Sequence, residues 1–272
     1  MRGTVDDEYV VTVATYGRRS TARSEVFLNF QLYEEPDEPI GMDYFVWVVR
    51  NHERTIVVDT GFSVEGGRSR QRELLIHVPT LFQRLGVDPA SAPPVLITHA
   101  HYDHIGNLSY FPWSTVHVAA SELEFWEGPH RQRPLFHHSV EDDEIRHLTE
   151  VVASGRGQLT RGRTWIAPGV EMIEVGGHTP GQSMVRVNTS AGWVLLASDA
   201  VHYYEELDLD RPFSSVADVA GMYTAFDSIR SMIAAGEVKH VVAGHDPTTF
   251  ARLGPHAHVS EDRLVATIGG GR

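Results

Sequence analysis

The sequence predicts a fold of the mixed α/β class, in which short apolar strands alternate with amphipathic helices. Short runs of apolar, β-branched residues recur between turn-forming residues, which is the pattern of buried strands. Apolar residues also recur at helical spacing over two longer stretches, near 68–86 and 216–235. The chain has 272 residues, enough for a sizeable core, and we expect one domain over 1–272.

The first third of the chain predicts strands followed by a helix. The strands are Tyr9–Ala14, Val26–Phe30, Met42–Arg50 and Thr55–Asp59. The last two form a hairpin around a polar turn at 51–54. A helix is expected over about 68–86, but it contains Pro79, which removes a backbone donor. We therefore expect either a kinked helix or two shorter ones.

The rest of the chain continues the alternation. Its predicted strands are Val95–Thr98, Val116–Ala119, Gly169–Val175, Gln182–Val187, Trp193–Ala197 and His240–Ala243. A helix is expected across about 216–235. The polar segment 121–165 is rich in histidine and arginine and predicts helical pieces near 121–127 and 141–153. A helical insertion of this kind could cover a site and select the substrate.

Composition and charge exclude several classes of function. The net charge of −13 argues against a nucleic-acid partner, because phosphate binding requires a basic surface. There is no cysteine, so neither a disulfide nor a thiolate ligand can form. The polar start at 1–8 lacks a signal-peptide pattern, and no apolar run reaches the roughly 18 residues of a membrane span. We expect a cytoplasmic protein with no membrane partner, and a homodimer remains open.

The densest chemical signal is the stretch Thr98–His104, which reads Thr-His-Ala-His-Tyr-Asp-His. It holds four potential metal ligands: His99, His101, Asp103 and His104. Neutral imidazole suits zinc, and a carboxylate suits a second divalent ion. A helix cannot aim all four side chains at one point, whereas a strand that ends in a loop can.

Other predicted strands also end at potential ligands, so the cluster does not stand alone. These strand ends carry Asp59, His178, Asp199 and His245. Glycine flanks three of them, which allows the backbone to turn sharply and approach a site closely. Setting Asp59 aside, seven side chains are available. One catalytic zinc takes about three protein ligands and a water, so seven exceed one ion and fit two that share a carboxylate.

These residues resemble the motifs of the metallo-β-lactamase-fold superfamily. The matching elements occur in the family's order: Asp59–Gly61, His99–His104, Gly177–Gly181, Ser198–Asp199 and Gly244–His245. The resemblance implies a four-layer αββα sandwich with two mixed sheets face to face. It also implies that His99, His101 and His178 hold one ion, that Asp103, His104 and His245 hold the other, and that Asp199 bridges them. Asp59 would support the site without binding metal.

Within that superfamily the chain most resembles the N-acyl homoserine lactonase-like group. The shared features are the strand that begins at Met42, the turn that ends at Phe62 and the insertion at 121–165. Other groups of the superfamily fit this sequence less well, because β-lactamases of the commonest class need a cysteine ligand and flavin-linked members need a flavodoxin domain. Glyoxalase II-type thioesterases share the ligand set, but they usually continue into a basic, glutathione-binding helical region.

One position departs from the lactonase pattern. Lactonases of that group usually carry a tyrosine three residues after the bridging aspartate, where its hydroxyl contacts the substrate carbonyl. Here that position is His202, followed by Tyr203 and Tyr204. We expect His202 or Tyr203 to take the catalytic role, with Tyr204 close to the substrate. The departure leaves open a different ring lactone, such as a pyridoxine-derived one.

The resemblance implies a binuclear metal hydrolase that opens a lactone. Zinc is the default for both ions, although iron, manganese and cobalt tolerate the same ligands. We expect the ions to activate a water, and Asp103 to protonate the leaving alkoxide. The candidate substrate wall, which could equally be ordinary helix packing, consists of Phe125, Trp126, Phe136, His137 and His138. The apolar wall and the negative net charge favour a neutral substrate.

Two other functions compete with lactone hydrolysis. Phosphodiester hydrolysis, as in nucleases of the superfamily, is disfavoured by the acidic composition. A sensor or binding protein that holds metal without turnover is disfavoured by the complete ligand set. The expected partner is therefore a small lactone or ester.

Overall fold

The architecture is a sandwich of two β-sheets with helices on both outer faces. The computed structural model describes residues 8–270, so all but one residue of the polar start at 1–8 lies outside the described part. In chain order its strands are Val10–Ala22 (β1), Pro39–Arg50 (β2), Thr55–Val58 (β3), Glu73–Leu74 (β4), Val95–Leu96 (β5), Val116–Ala119 (β6), Gly157–Thr160 (β7), Arg163–Ala167 (β8), Val170–Glu174 (β9), Ser183–Thr189 (β10), Gly192–Ser198 (β11), His240–Ala243 (β12), Ala257–Val259 (β13) and Val265–Ile268 (β14).

The helices are short except for one. They are Arg23–Val26 (α1), Val64–Ser69 (α2), Val78–Arg84 (α3), Tyr102–Ile105 (α4), Ala120–Glu127 (α5), Pro134–His137 (α6), Asp142–Val151 (α7), Tyr204–Leu209 (α8), Val219–Ala234 (α9) and Thr249–Leu253 (α10). The longest, α9, buries Met222, Phe226 and Ile229 at helical spacing against the second sheet, as its periodicity predicts.

The first sheet has the order β13-β14-β1-β2-β3-β5-β6-β7, with β4 paired to β1. The second sheet has the order β12-β11-β10-β9-β8. Both sheets are mixed: β3, β5, β6 and β7 run parallel to one another, β11 and β12 form a second parallel pair, and the remaining pairs are antiparallel.

Three apolar layers hold the sandwich together. The layer between the sheets is made of alternating strand residues, among them Trp47, Val58 and Leu196. A second layer packs the first sheet against α3, α5 and α7, and a third packs the second sheet against α9. Because each sheet buries both faces, its central strands are almost continuously apolar. The expected αββα fold class is confirmed.

Two local predictions in the first third need correction. The segment Val26–Phe30 is not a strand: Val26 ends α1, the chain turns at Asn29, whose φ is +50°, and Phe30 begins a short 3₁₀ helix. Phe27 and Phe30 are nevertheless buried. The helix expected over 68–86 is divided into α2, β4 and α3, as the proline alternative allowed. Pro79 lies in the first turn of α3, where its missing donor costs nothing.

The insertion at 121–165 is only partly helical. It contains α5, α6 and α7, but its end forms β7 of the first sheet and the beginning of β8 of the second. β7 lies at the sheet edge and exposes Gln158 and Leu159, so it lacks the apolar run that marks a buried strand. No helix within residues 8–270 is both long and apolar enough to cross a bilayer.

Candidate metal centre

The candidate centre lies where strands of both sheets end beside one another. Asp59 follows β3, His99 follows β5, Asp199 follows β11 and His245 follows β12. β3 and β5 are parallel, as are β11 and β12, so each pair presents its carboxyl ends at the same edge. His178 joins them from the loop between β9 and β10. The topology therefore brings together side chains that are far apart in sequence.

The seven predicted ligands form two adjoining buried groups. One group is His99, His101, His178 and Asp199, and the other is Asp103, His104 and His245. Within each group the potential ligand atoms lie within 4.8 Å of one another. Asp199 faces both groups. Its Oδ2 lies 3.3 Å from Nε2 of His178, and its Oδ1 lies 3.3 Å from Nε2 of His104 and 3.1 Å from Nε2 of His245.

Hydrogen bonds outside the groups leave imidazole lone pairs directed inward. Nδ1 of His178 lies 2.7 Å from the carbonyl of Ser215, and Nδ1 of His245 lies 2.8 Å from the carbonyl of Asp43. A carbonyl only accepts, so these nitrogens carry the proton and each Nε2 keeps its lone pair. Such outer contacts are typical of metal-binding histidines.

Several of these inward nitrogens lack a protein partner. Within residues 8–270, Nε2 of His99 and Nε2 of His104 are buried and make no hydrogen bond, although Oδ1 of Asp199 lies 3.3 Å from the latter. Nε2 of His178 lies 3.0 Å from Nδ1 of His101. Buried lone pairs that converge without donors cost free energy unless a cation occupies the space between them. The residues present therefore fit a pair of divalent ions.

The electrostatics of the protein keep most of these imidazoles neutral. Burial, together with neighbouring histidines, lowers the pKa of His99 and of His101 well below the ordinary value. Burial likewise lowers the pKa of His178 to about 3. Burial would also lower the pKa of His104, but Asp199 and the other nearby carboxylates outweigh it and hold that pKa well above its ordinary value. His99, His101 and His178 are therefore neutral and able to bind metal, whereas the carboxylates favour positive charge at His104.

A buried hydrogen-bond network holds the histidine loop. Asp59 accepts from the backbone nitrogen of Thr98 at 2.8 Å, from its hydroxyl at 2.7 Å and from Nδ1 of His104 at 2.7 Å. The Thr98 hydroxyl also lies 2.8 Å from that of Ser198, in the other sheet. Asp59 thus orients a predicted ligand without facing the cavity, in the supporting position that the resemblance implied.

A second buried carboxylate, which sequence reasoning missed, braces two ligand loops. Glu122 on α5 accepts from the backbone nitrogens of Ala100 at 2.7 Å and Gly181 at 3.0 Å. It also accepts from the Thr179 hydroxyl at 2.6 Å and from Nε1 of Trp126 at 2.7 Å. A glutamate in an amphipathic helix gives no signal of such burial, because its partners come from distant loops.

A cavity of about 380 Å³ opens onto the predicted ligands. Its walls include Asp103, Asp199, His101, His178, His202 and His245, together with Tyr44, Tyr102, Phe213 and three serines. Arginines 19, 70 and 72 also line it. No pattern in the sequence marked these arginines, which come from the first sheet and the segment before β4. The cavity is large enough for a small organic molecule.

Comparison with known proteins identifies the family. The model of the family described as "Metallo-beta-lactamase superfamily" matches residues 41–245, which contain every predicted ligand. The chain belongs to this superfamily. It is a metallo-hydrolase of that group, with His and Asp clusters that could hold metal.

The relatives of this superfamily member are distant in sequence. An N-acyl homoserine lactonase of a Bacillus species is 24% identical over 231 residues, which are 79% of this chain and 82% of that protein. A probable metallo-hydrolase of Mycobacterium tuberculosis is 26% identical over 189 residues, 60% of this chain and 58% of that protein. A solved quorum-quenching N-acyl homoserine lactone lactonase has a TM-score of 0.74 at 19% identity, covering 89% of this chain and 94% of that one. At this identity the structure shows the fold alone.

Of the three candidates after Asp199, only His202 lines the cavity of this superfamily site. Its Nε2 lies 3.0 Å from Oδ2 of Asp199, its Nδ1 lies 3.3 Å from Glu206, and its ring stacks on Phe213 at 3.7 Å. Burial opposes protonation, but Asp199 and Glu206 raise the pKa of His202 to about 9.

The two tyrosines have structural contacts instead. The hydroxyl of Tyr203 donates to the carbonyl of Gly41 at 2.9 Å, and that of Tyr204 donates to the carbonyl of Val241 at 3.0 Å. Neither residue lines the cavity, which departs from the catalytic and substrate-binding roles expected for them. Successive residues at the start of α8 point in different directions, so only one can face the centre.

The residues expected to form the substrate wall lie in different places in the structure. Phe125, Trp126 and Phe136 surround a small gap of about 10 Å³ beside His101 and His178. The ring of Trp126 packs edge-on against His101, with 5.8 Å between centroids, so it supports a ligand. His138 lines the main cavity, whereas His137 is half-buried outside it and lies 3.3 Å from Asp142. Most of this wall packs around the centre and leaves little open space.

Glu144 of α7 predicts a specific pH dependence of stability. Burial raises the pKa of Glu144 from 4.5 to about 7, and the opposing effects of the Ser63 hydroxyl and the Arg70 charge offset it only in part. The folded protein therefore keeps this proton up to about pH 7, whereas the unfolded chain loses it near pH 4.5, and stability falls as pH rises between those values. A pKa that differs by one between the folded and unfolded states corresponds to about 1.4 kcal/mol, so the loss of stability is on the order of 3 kcal/mol.

We expect Glu144→Gln to remove this loss. In urea unfolding, the variant should match the wild type near pH 4.5 and exceed its free energy of unfolding by a few kcal/mol at pH 8. Glu150→Gln, an exposed position on the same helix, is the control and should show no such trend. A difference between Glu144→Gln and the wild type that stays constant with pH would contradict the assignment.

Proposed function

We propose that this chain is a binuclear metal-dependent lactonase that hydrolyses the ester bond of a lactone ring. The observation that carries the proposal is the pair of adjoining ligand groups that share Asp199 at the wall of a 380 Å³ cavity. The lactonase names of the Bacillus relative and of the solved structure add support.

The residues would divide between two ions. His99, His101 and His178 would hold one, while the other would be held by Asp103, His104 and His245; Asp199 would contact both. Such a pair, when bound, supplies Lewis acidity and a water-derived nucleophile at neutral pH. Zinc is the default for this ligand set, and iron, manganese and cobalt are the alternatives.

The chain's own residues supply the remaining chemistry. Opening a lactone adds water: the ring carbon–oxygen bond breaks, the carbonyl carbon becomes a carboxylate, and the ring oxygen leaves as an alcohol. An alkoxide leaves poorly, so it needs a proton. Asp103 lines the cavity and is the proposed donor of that proton. His202 lines the same cavity, and we assign it to the developing charge on the carbonyl oxygen.

A substrate panel tests the proposal. Purified protein loaded with zinc is assayed by proton release on N-hexanoyl homoserine lactone, γ-butyrolactone derivatives and a pyridoxine-derived lactone. S-lactoylglutathione and bis(4-nitrophenyl) phosphate represent the thioesterase and phosphodiesterase alternatives. We expect the highest kcat/KM on a lactone. Faster turnover of the thioester or the phosphodiester would replace the proposal, and inertness toward all of them with metal bound would indicate a binding protein.

His202→Phe tests the role given to this side chain. The ring should still stack on Phe213, so we expect a folded protein whose kcat is lowered about a hundredfold. His202→Tyr, which places the usual lactonase residue here, should recover part of that loss. His52→Phe in the exposed β2–β3 turn is the control. Full kcat in His202→Phe, with metal content unchanged, would remove His202 from the mechanism.

A further inference from the structure

The cavity beside the candidate centre contains more positive charge than a neutral substrate needs. Three arginines line it, although the protein as a whole carries a net charge of −13. Whether they serve the fold or a ligand depends on what each guanidinium already binds.

Arg70 serves the fold. It forms an ion pair with Glu141, donates to the carbonyls of His138 and Val140 at 2.9 and 3.2 Å, and lies 4.1 Å over the ring of Tyr102. These contacts join α2 to the start of α7. Its donors are therefore committed to protein acceptors.

Within residues 8–270, Arg19 and Arg72 have no carboxylate partner. Arg19 donates to the Thr21 hydroxyl at 3.2 Å, and its Nε is buried without a hydrogen bond. Arg72 donates to the Tyr102 hydroxyl at 3.1 Å and to the carbonyl of Arg70 at 2.7 Å. Within residues 8–270 neither guanidinium forms an ion pair with a carboxylate. A partly buried guanidinium with only neutral acceptors keeps a strong attraction for an oxyanion.

The strand register places Arg19 and Arg72 next to the same ladder. β1 pairs with β4 through Gly17 with Leu74 and Arg18 with Glu73; Arg19 is the next residue of β1, and Arg72 is the residue just before β4. Arg18 points outward and is paired with Glu73 at 2.8 Å, while Arg19 points to the opposite face, toward the cavity. Like charges at opposed positions destabilise a sheet, so nothing in the fold favours this pairing.

The acidic groups of the cavity do not neutralise the pair. Asp103 and Asp199 belong to the candidate metal groups, where bound cations would balance them. Glu25, at the rim, accepts a hydrogen bond from the hydroxyl of Thr21 and is exposed to solvent. The cavity therefore has walls that carry both the candidate metal ligands and two guanidinium groups that form no ion pair within residues 8–270.

We propose that the substrate is a lactone that also carries a negatively charged carboxylate. Arg19 and Arg72 would hold this carboxylate while the lactone carbonyl faces the metal centre. This inference rests on the proposed lactonase function. It replaces the neutral substrate that composition favoured, because a local pair of cations outweighs a distant, screened net charge.

A matched pair of lactones tests the inference. The probes are 5-oxotetrahydrofuran-2-carboxylate and its neutral carboxamide, assayed with zinc-loaded wild type, Arg19→Gln, Arg72→Gln and the control Arg18→Gln. We expect the wild type to prefer the carboxylate. Each cavity variant should lose about tenfold to a hundredfold in kcat/KM on the carboxylate and little on the amide. Arg18→Gln should match the wild type on both.

Failure of this inference and failure of lactonase activity give different results. If the wild type opens both lactones equally and the cavity variants behave alike, the oxyanion proposal is wrong while the lactonase function stands. If neither lactone is opened, calorimetric binding to the zinc-loaded protein decides. Glutarate should bind more tightly than glutaramide, and Arg19→Gln and Arg72→Gln, but not Arg18→Gln, should abolish that difference.

A final binding experiment distinguishes a carboxylate from a phosphate as the bound oxyanion. Inorganic phosphate is titrated into the same four proteins. Weaker binding than glutarate supports the carboxylate. Tighter binding that is lost in both cavity variants identifies the group as a phosphate instead. Binding of either anion that is unchanged in both cavity variants overturns the proposal.

Discussion

Asp199→Ala is expected to lose the bound metal and to reduce kcat by more than about a thousandfold. The carboxylate of Asp199 contacts both ligand groups, lying 3.3 Å from Nε2 of His178 and 3.1 Å from Nε2 of His245. Removing it leaves histidines with few anions to balance the two cations. Metal content by elemental analysis and turnover of the best lactone from the panel are the measurements.

An exposed aspartate provides the control. Asp227→Ala on α9 removes the same charge from a side chain that is 75% exposed, so metal content and turnover should stay at wild-type values. His104→Ala should behave like Asp199→Ala, because it removes a ligand of the other group. If either site variant kept full metal and full rate, the ligand assignment would be wrong.

Glu122→Ala should produce the largest loss of stability outside the ligands. The substitution removes the shared acceptor of four buried donors, three of them in the loops that carry His101 and His178. Each buried donor left without an acceptor costs about 1–3 kcal/mol, and the costs are not additive, so we expect a loss of about 3–5 kcal/mol. Urea unfolding with excess zinc measures it.

The same substitution should weaken metal binding, because both loops lose their common anchor. Supporting residues of this kind typically change metal affinity by about 10- to 100-fold. Glu124→Ala, two residues further along α5, is the control: the Glu124 side chain is 64% exposed and forms a surface ion pair with Arg161. Glu122→Gln keeps the shape of the side chain but cannot accept all four hydrogen bonds. Its stability and metal affinity should therefore lie between those of Glu122→Ala and the wild type. A Glu122→Ala protein with wild-type stability and metal affinity would contradict the bracing role.

Local patterns in the sequence identified much of the fold. The β2–β3 hairpin and the strands β6 and β12 lie where their apolar runs end at polar turns. The predictions were wrong where burial comes from elsewhere. Val26–Phe30 has the apolar pattern of a strand, but it is buried by a turn packed on the first sheet, and β7 is an edge strand that exposes both Gln158 and Leu159.

The candidate ligands could be predicted because their signal is chemical and sits at strand ends. Four of them fall within Thr98–His104, and the others follow β9, β11 and β12. Glu122, Arg19 and Arg72 had no comparable signal. Glu122 is an ordinary polar residue of α5, Arg19 one of β1, and Arg72 one of the segment before β4. What distinguishes each is the presence or absence, within residues 8–270, of a charged or hydrogen-bonding partner distant in sequence.

By itself, the sequence determined which residue types are available for chemistry and which strands end in them, because strand periodicity and turn residues are local properties. Only the tertiary structure decided which side chains meet. It turned His202 toward Asp199 and the neighbouring tyrosines toward backbone carbonyls, and it buried Glu122 beneath two loops. It also left Arg19 and Arg72 facing a cavity with no carboxylate paired to either of them in the described part of the chain. Those outcomes depend on sheet register and on the packing of distant segments, which no local pattern contains.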